Sequence, residues 1–170
     1  TKSLDEALET LVKITTGTIG AERGTIFLND SSTGELYSRI AQGNFRREIR
    51  ILNNKGVAGW VFTRNEGTII HDAYKDDRFN KAVDVRTGFR TKSILCAPLR
   101  TVSGEKIGVS QILNKVDGEV DEDDLGRLLN EMDSWKGCID EITLKLKTYG
   151  KEKIHTQYEY NNDNNELIIY

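Results

Sequence analysis

The stretch YKDDRFNKAVDVRTGFRTKSILCAPL, Tyr74 to Leu99, changes character halfway along. It is charged and polar through Lys92, then becomes the apolar run Ile94-Leu95-Cys96-Ala97-Pro98-Leu99. The apolar half reads as a buried strand. The polar half, with Asp84, Thr87, Gly88 and Thr91 bunched together, is longer than a connection between elements requires. Asp84, Thr87 and Thr91 supply one acceptor and two hydroxyls. They share a face if Val83 to Arg90 forms a helical turn interrupted by Gly88.

On the N-terminal side, Ser3-Leu4-Asp5-Glu6 has the spacing of a capping box. Leu4, Ala7, Leu8, Leu11, Val12 and Ile14 then follow at helical spacing to about Thr16. Thr25-Ile26-Phe27-Leu28 and Leu36 to Ala41 read as a hairpin around the turn-rich Asn29 to Gly34. Ile49 and Ile51, alternating with Glu48 and Arg50, give a third strand. Gly56-Val57-Ala58-Gly59-Trp60-Val61-Phe62 reads as a short helix begun at a glycine and closed by Asn65-Glu66-Gly67. Thr68-Ile69-Ile70 is a short strand.

On the C-terminal side, Val102 to Glu105 turns and Lys106 to Leu113 returns as a strand. Hairpins with helices before, within and after them make the class α+β, an antiparallel sheet flanked by helices. From Val120 the pattern becomes a heptad seam of Leu125, Leu128, Met132, Trp135, Ile139, Ile142 and Leu146, a long amphipathic helix. Acid residues Asp121 to Asp124 at its start and Lys145 and Lys147 at its end suit the helix dipole. That helix lies either on its own sheet or against a partner copy. The tail from Ile154 fits a hairpin, the first strands of a further domain, or an unstructured segment.

Composition narrows the function. The chain has 170 residues and a net charge of −3, with 30% charged residues of both signs. No basic stripe points to nucleic acid. No apolar run reaches the ~18 residues of a membrane span, and no secretory leader is read. A start at Thr1 reads as a piece of a longer protein. Cys96 and Cys138 read as free thiols, which points to a reducing compartment, the cytoplasm. His71 and His155 sit in no metal-ligand or nucleophile pattern. Walker and strand-linked GxGxxG loops are absent. No metal, cofactor or catalytic function is read.

Binding is the better reading. A helix opening at Gly56-Val57-Ala58-Gly59 presents free amides suited to an anion, and the two glycines either admit a ligand closely or pack a turn. With Asp84, Thr87 and Thr91 this offers a phosphate end and a polar wall.

The run from Asn53 to Leu99, followed by GEKIGVSQILNK, resembles a GAF domain of the cyclic-nucleotide phosphodiesterase and cyanobacterial adenylyl cyclase type. The resemblance covers roughly Leu4 to Leu129. It implies a cyclic nucleotide clasped between the sheet and its covering helices. Val57 and Ala58 match residues whose amides meet the phosphate. Arg23 and Thr25 match first-strand pocket positions, and Asn80, Asp84, Thr87 and Thr91 match lid and wall positions. Gln111 falls where some relatives carry a carboxylate, and Ala41 where some place an aromatic ring. Lys115 and Asp124 match an ion pair bracing the last strand against the next helix, although Asp123 and Leu125 replace its usual neighbours.

The implied function is a regulatory cyclic-nucleotide sensor, cAMP favoured over cGMP, within a larger signalling protein. Residues 1–129 would form the GAF domain, 119–149 a signalling and homodimerisation helix, and 150–170 a tail of unassigned role. A GAF dimerisation module without a ligand is the alternative. A bilin photoreceptor domain lacks a cysteine placed to anchor its chromophore.

Overall fold

Every residue from Ile94 to Leu99 is buried because the strand that carries it is covered on both sides. The computed structural model describes residues 4–41, 47–137, 140, 141, 144, 158–161 and 166–169. Helix α1 (Leu4–Ile19) leads into strand β1 (Ala21–Asp30) and its hairpin partner β2 (Glu35–Ala41). Short strands β3 (Arg47–Glu48) and β4 (Arg50–Leu52) precede helix α2 (Gly56–Arg64) and strand β5 (Thr68–Ile70). A 3₁₀ turn (Ala73–Lys75) and helix α3 (Lys81–Thr87) fill the polar stretch before β6 (Ile94–Arg100) and β7 (Lys106–Lys115). Helix α4 (Glu122–Ser134) follows, and the tail adds β8 (Tyr158–Asn161) and β9 (Glu166–Ile169).

Six strands form one antiparallel sheet in the order β4-β2-β1-β7-β6-β5. Strand alternation sends successive side chains to opposite faces. Ile26, Leu28, Leu95, Ala97 and Leu99 point to one face, where they bury Leu8, Leu11 and Val12 of α1 and Leu128 and Met132 of α4. Phe27, Ile94, Cys96 and Val109 point to the other, against Val57, Ala58, Val61 and Phe62 of α2. Strands β7 and β1 approach so closely that a Cβ on Gly108 would lie 2.0 Å from the Phe27 carbonyl oxygen.

The described part of the heptad seam, Leu125 to Trp135, goes into the protein's own core. Leu128 and Met132 are buried there, and Leu125 and Trp135 pack against it. The single long helix expected to Lys147 is interrupted: α4 stops at Ser134 and Trp135 turns (φ −106°, ψ 6°) before helix resumes at Lys136. Ile139, Ile142, Leu146 and Cys138 lie outside the described residues, as do Ser3 and the side chains of Ala41 and Thr87. Within the tail, β8 and β9 form a hairpin whose β9 pairs with β3. Among the described residues no helix is long and apolar enough to cross a membrane.

Lys115 and Asp124 join β7 to α4. Asp124 is fully buried, and Lys115 Nζ lies 2.8 Å from its Oδ2. The Asp121 amide donates to the same oxygen at 3.0 Å, and Arg127 pairs with Oδ1. Burial alone would raise the Asp124 carboxyl pKa. Its bonds from Lys115, the Asp121 amide and Arg127 outweigh burial and hold it below the ordinary value. A depressed native pKa means the unfolded chain binds the proton more tightly. The contribution is therefore complete above the unfolded value of about 3.9 and is lost as pH falls through the native one.

In urea titrations, Asp124→Asn should cost about 3 kcal/mol at pH 7 by stranding Lys115. The gap between wild type and variant should narrow below about pH 4. An equal gap at pH 7 and pH 2.5 would contradict this account of the pair.

Candidate functional site

The cavity is built from α2 upward. Lys55, in extended conformation, occupies the N-cap position, and its side chain makes no cap bond. Gly56 adopts φ +71°, a left-handed value that lets the chain turn into the helix. The Gly59 amide is bonded to Lys55 O at 3.1 Å. The amides of Gly56, Val57 and Ala58 precede that bond and have no intrahelical acceptor. Of the two glycines, Gly56 lines the cavity, while Gly59 packs a turn. A Cβ on Gly59 would lie 2.9 Å from the Asn54 carbonyl carbon.

The polar stretch forms a lid over this end. Asn80 caps α3, accepting the Ala82 amide at 3.0 Å, and Gly88 ends that helix at φ +71°. Thr91 lies beyond the helix and returns to Asp84. The Asp84 carboxylate accepts from the Thr91 hydroxyl at 2.6 Å, the Thr91 amide at 2.8 Å and the Tyr74 hydroxyl at 2.7 Å. Asp84 is 6% exposed and Thr91 3%, so the cluster is buried. Its bond to Asp84 pushes the Tyr74 phenol above its ordinary pKa. Asp84 thus uses its acceptors to close the lid, and the expected shared face with Thr91 does not form. Thr87 is the last residue of α3.

The floor comes from the sheet. Arg23 and Thr25 on β1 and Gln111 on β7 point to the α2 face, and Thr25 and Gln111 are directly opposed. Thr25 also opposes Ala41 across β2. Floor, α2 and lid line a partly open cavity of about 350 Å³, a size suited to a small ligand. Arg23, Thr25, Val57, Ala58, Asn80, Asp84, Thr91 and Gln111 all line it. Lys115 and Asp124 lie elsewhere, between the sheet and α4.

Sequence reasoning missed Lys55, Arg50, Phe79 and Phe89, which also line the cavity. Lys55 was findable as the cation just before a helix start. Arg50 is already paired with Asp30 at 3.4 Å and Glu35 at 3.3 Å. Arg23 and Lys55 meet no carboxylate among the described residues, so the cavity's available charge is positive although the chain is net negative. No group of His, Cys, Asp and Glu among the described residues can hold a metal. Burial drives the Cys96 thiol far above its ordinary pKa, which makes it an inert core residue.

A six-stranded antiparallel sheet, with α1 and α4 on one face and α2, the lid and a cavity on the other, defines a small α+β domain. The family model described as GAF domain matches residues 3–130, and the chain belongs to that family. It is 37% identical over 128 residues to a probable 3',5'-cyclic phosphodiesterase, pde-5, of Caenorhabditis elegans, covering 68% of this chain and 17% of the relative. It is 47% identical over 82 residues to the dual 3',5'-cyclic-AMP and -GMP phosphodiesterase 11 of Drosophila melanogaster, covering 48% of this chain and 6% of the relative. The chain therefore spans only a small part of both relatives' length.

Among solved structures, residues 122 to 287 of a methyl-accepting chemotaxis protein superpose with TM-score 0.69 at 23% identity, covering 85% of this chain and 93% of that one. The GAF domain of an Acinetobacter phosphoenolpyruvate-protein phosphotransferase gives TM-score 0.68 at 19% identity, covering 84% and 85%. At these identities the likeness concerns the fold alone.

Asp84→Ala should lower the unfolding free energy by about 2 kcal/mol, because the buried Thr91 amide loses its acceptor. Amide exchange in residues 81–92 should accelerate more than exchange in β6 and β7. Uniform acceleration would mean that Asp84 serves the whole core and not the lid.

Proposed function

We propose that the cavity binds a cyclic nucleotide, cAMP in preference to cGMP, as the regulatory sensor of a larger signalling protein. The observation that carries this reading is the meeting of a partly open cavity with three amides lacking intrahelical acceptors at the start of α2. A cyclic phosphodiester has one negative charge and two free oxygens. The amides and the helix dipole suit it without a second bound ion. Lys55 on the rim adds a cation. One relative is named as a 3',5'-cyclic phosphodiesterase and the other for cyclic AMP and GMP, which fits the same ligand class.

Base preference follows from which groups are free. Guanine presents two donors, N1–H and the N2 amine, which a carboxylate accepts well. Among the described residues Asp84 is the only carboxylate lining the cavity, and Thr91 and Tyr74 already occupy it. Adenine presents ring-nitrogen acceptors and an N6 donor. Arg23 donates to the former, and the Thr25 hydroxyl or the Gln111 carbonyl accepts from the latter.

Homodimerisation through the C-terminal helix belongs to this proposal. Because Leu128 and Met132 are buried in their own core, it falls to the part after Trp135, where Leu144 is exposed. The free, buried Cys96 fits a reducing compartment such as the cytoplasm.

Isothermal titration of the 170-residue chain should show cAMP binding roughly tenfold tighter than cGMP, the scale of one well-made base contact. Gln111→Glu, which supplies a carboxylate acceptor for the two guanine donors, should shift the preference toward cGMP by a similar factor. No heat with either nucleotide at high micromolar concentration would end the sensor reading.

A further inference from the structure

Arg23 stands on the sheet and Phe89 belongs to the lid, yet the guanidinium carbon lies 4.0 Å from the centroid of the Phe89 ring. Both side chains line the cavity. Among the described residues the ring is the one partner that Arg23 meets. A guanidinium lying over an aromatic ring spends no conventional hydrogen bond on that contact and keeps its donors for other acceptors. An arginine also loses considerable rotamer freedom when fixed, so a ring that fixes it beforehand lowers the cost of the bonds it then makes.

Phe89 is itself placed by the lid. Gly88, in the left-handed conformation, turns the chain just before it. Just after it, the Arg90 carbonyl accepts from Asn114 Nδ2 at 2.8 Å, and Thr91 is bonded to Asp84. The ring therefore reaches Arg23 because the lid is fastened on both sides of it.

We propose that Phe89 is the positioning residue for Arg23, so that the fastened lid sets the guanidinium for reading the base. This inference rests on the cavity being a cyclic-nucleotide site with Arg23 at the base. Selectivity is then a property of the closed lid. An open lid retains the phosphate end, made by α2, and loses discrimination between bases.

The test titrates cAMP and cGMP into wild type, Phe89→Leu, Phe89→Tyr, Arg23→Ala and the Phe89→Leu/Arg23→Ala double variant. Phe89→Leu should weaken cAMP about tenfold and erase the preference over cGMP, while Phe89→Tyr should keep both. The double variant should bind cAMP within about twofold of Arg23→Ala, since each change removes the same interaction. Multiplying losses, or equal weakening of cAMP and cGMP by Phe89→Leu, would overturn the proposal. The same four-corner comparison by thermal unfolding without nucleotide reads the contact alone. Additive shifts in Tm there would overturn it independently of binding. Binding of neither nucleotide by wild type, with coupling intact, would instead remove the sensor reading that the proposal depends on.

Discussion

Two neighbouring residues at the end of β7 hold the domain together across its sheet. Asn114, 4% exposed and at φ 60°, accepts from the Lys92 amide at 2.6 Å and the Ser93 amide at 3.2 Å. It donates to the Arg90 carbonyl at 2.8 Å and to Glu22 at 2.9 Å. Buried backbone groups at the foot of the lid would otherwise be orphaned, and each such group is costly to leave unpaired. Lys115, one residue on, crosses to the buried Asp124 of α4. The lid and the helix beneath the sheet are thus fastened to adjacent positions of one strand.

That arrangement explains why the two faces of the sheet look so different. The α1 and α4 face is filled with aliphatic side chains. The α2 face begins with the same kind of packing, around Phe27, Val61 and Val109. It then opens where β1 and β7 present Arg23, Thr25 and Gln111 instead of aliphatic residues. Polar floor residues could not be buried under a tightly packed helix without partners. A lid that satisfies its own polar groups leaves room above them.

Which charges already have partners decides the electrostatics of the cavity. Asp84, Asp76 and Arg50 all lie in or near the lid and cavity wall. Asp84 is bonded to Tyr74 and Thr91, Asp76 to Arg78 at 2.8 Å, and Arg50 to Asp30 and Glu35. The bond to Arg78 outweighs burial and holds the Asp76 carboxyl below its ordinary pKa. Among the described residues, what remains available toward the cavity is one helix start, Lys55 and Arg23. A protein of net negative charge can in this way keep a locally positive interior.

Much of the architecture was legible in the amino-acid order. The hairpin of β1 and β2, the glycine start of α2, the hairpin at Val102 to Glu105 and the apolar β6 follow from local periodicity and turn chemistry, which depend only on near neighbours. The cavity positions carried by resemblance also fall together, with eight of them lining one space. Tertiary structure decided the rest. The heptad seam does not say whether Leu128 and Met132 meet a second copy or their own sheet, because both burials use the same spacing. The order of residues 84–91 does not show that Thr91 bonds back to Asp84, or that Phe89 swings onto an arginine sixty-six positions earlier. Spacing sets which face a side chain takes. Only the folded chain sets which partner waits on that face.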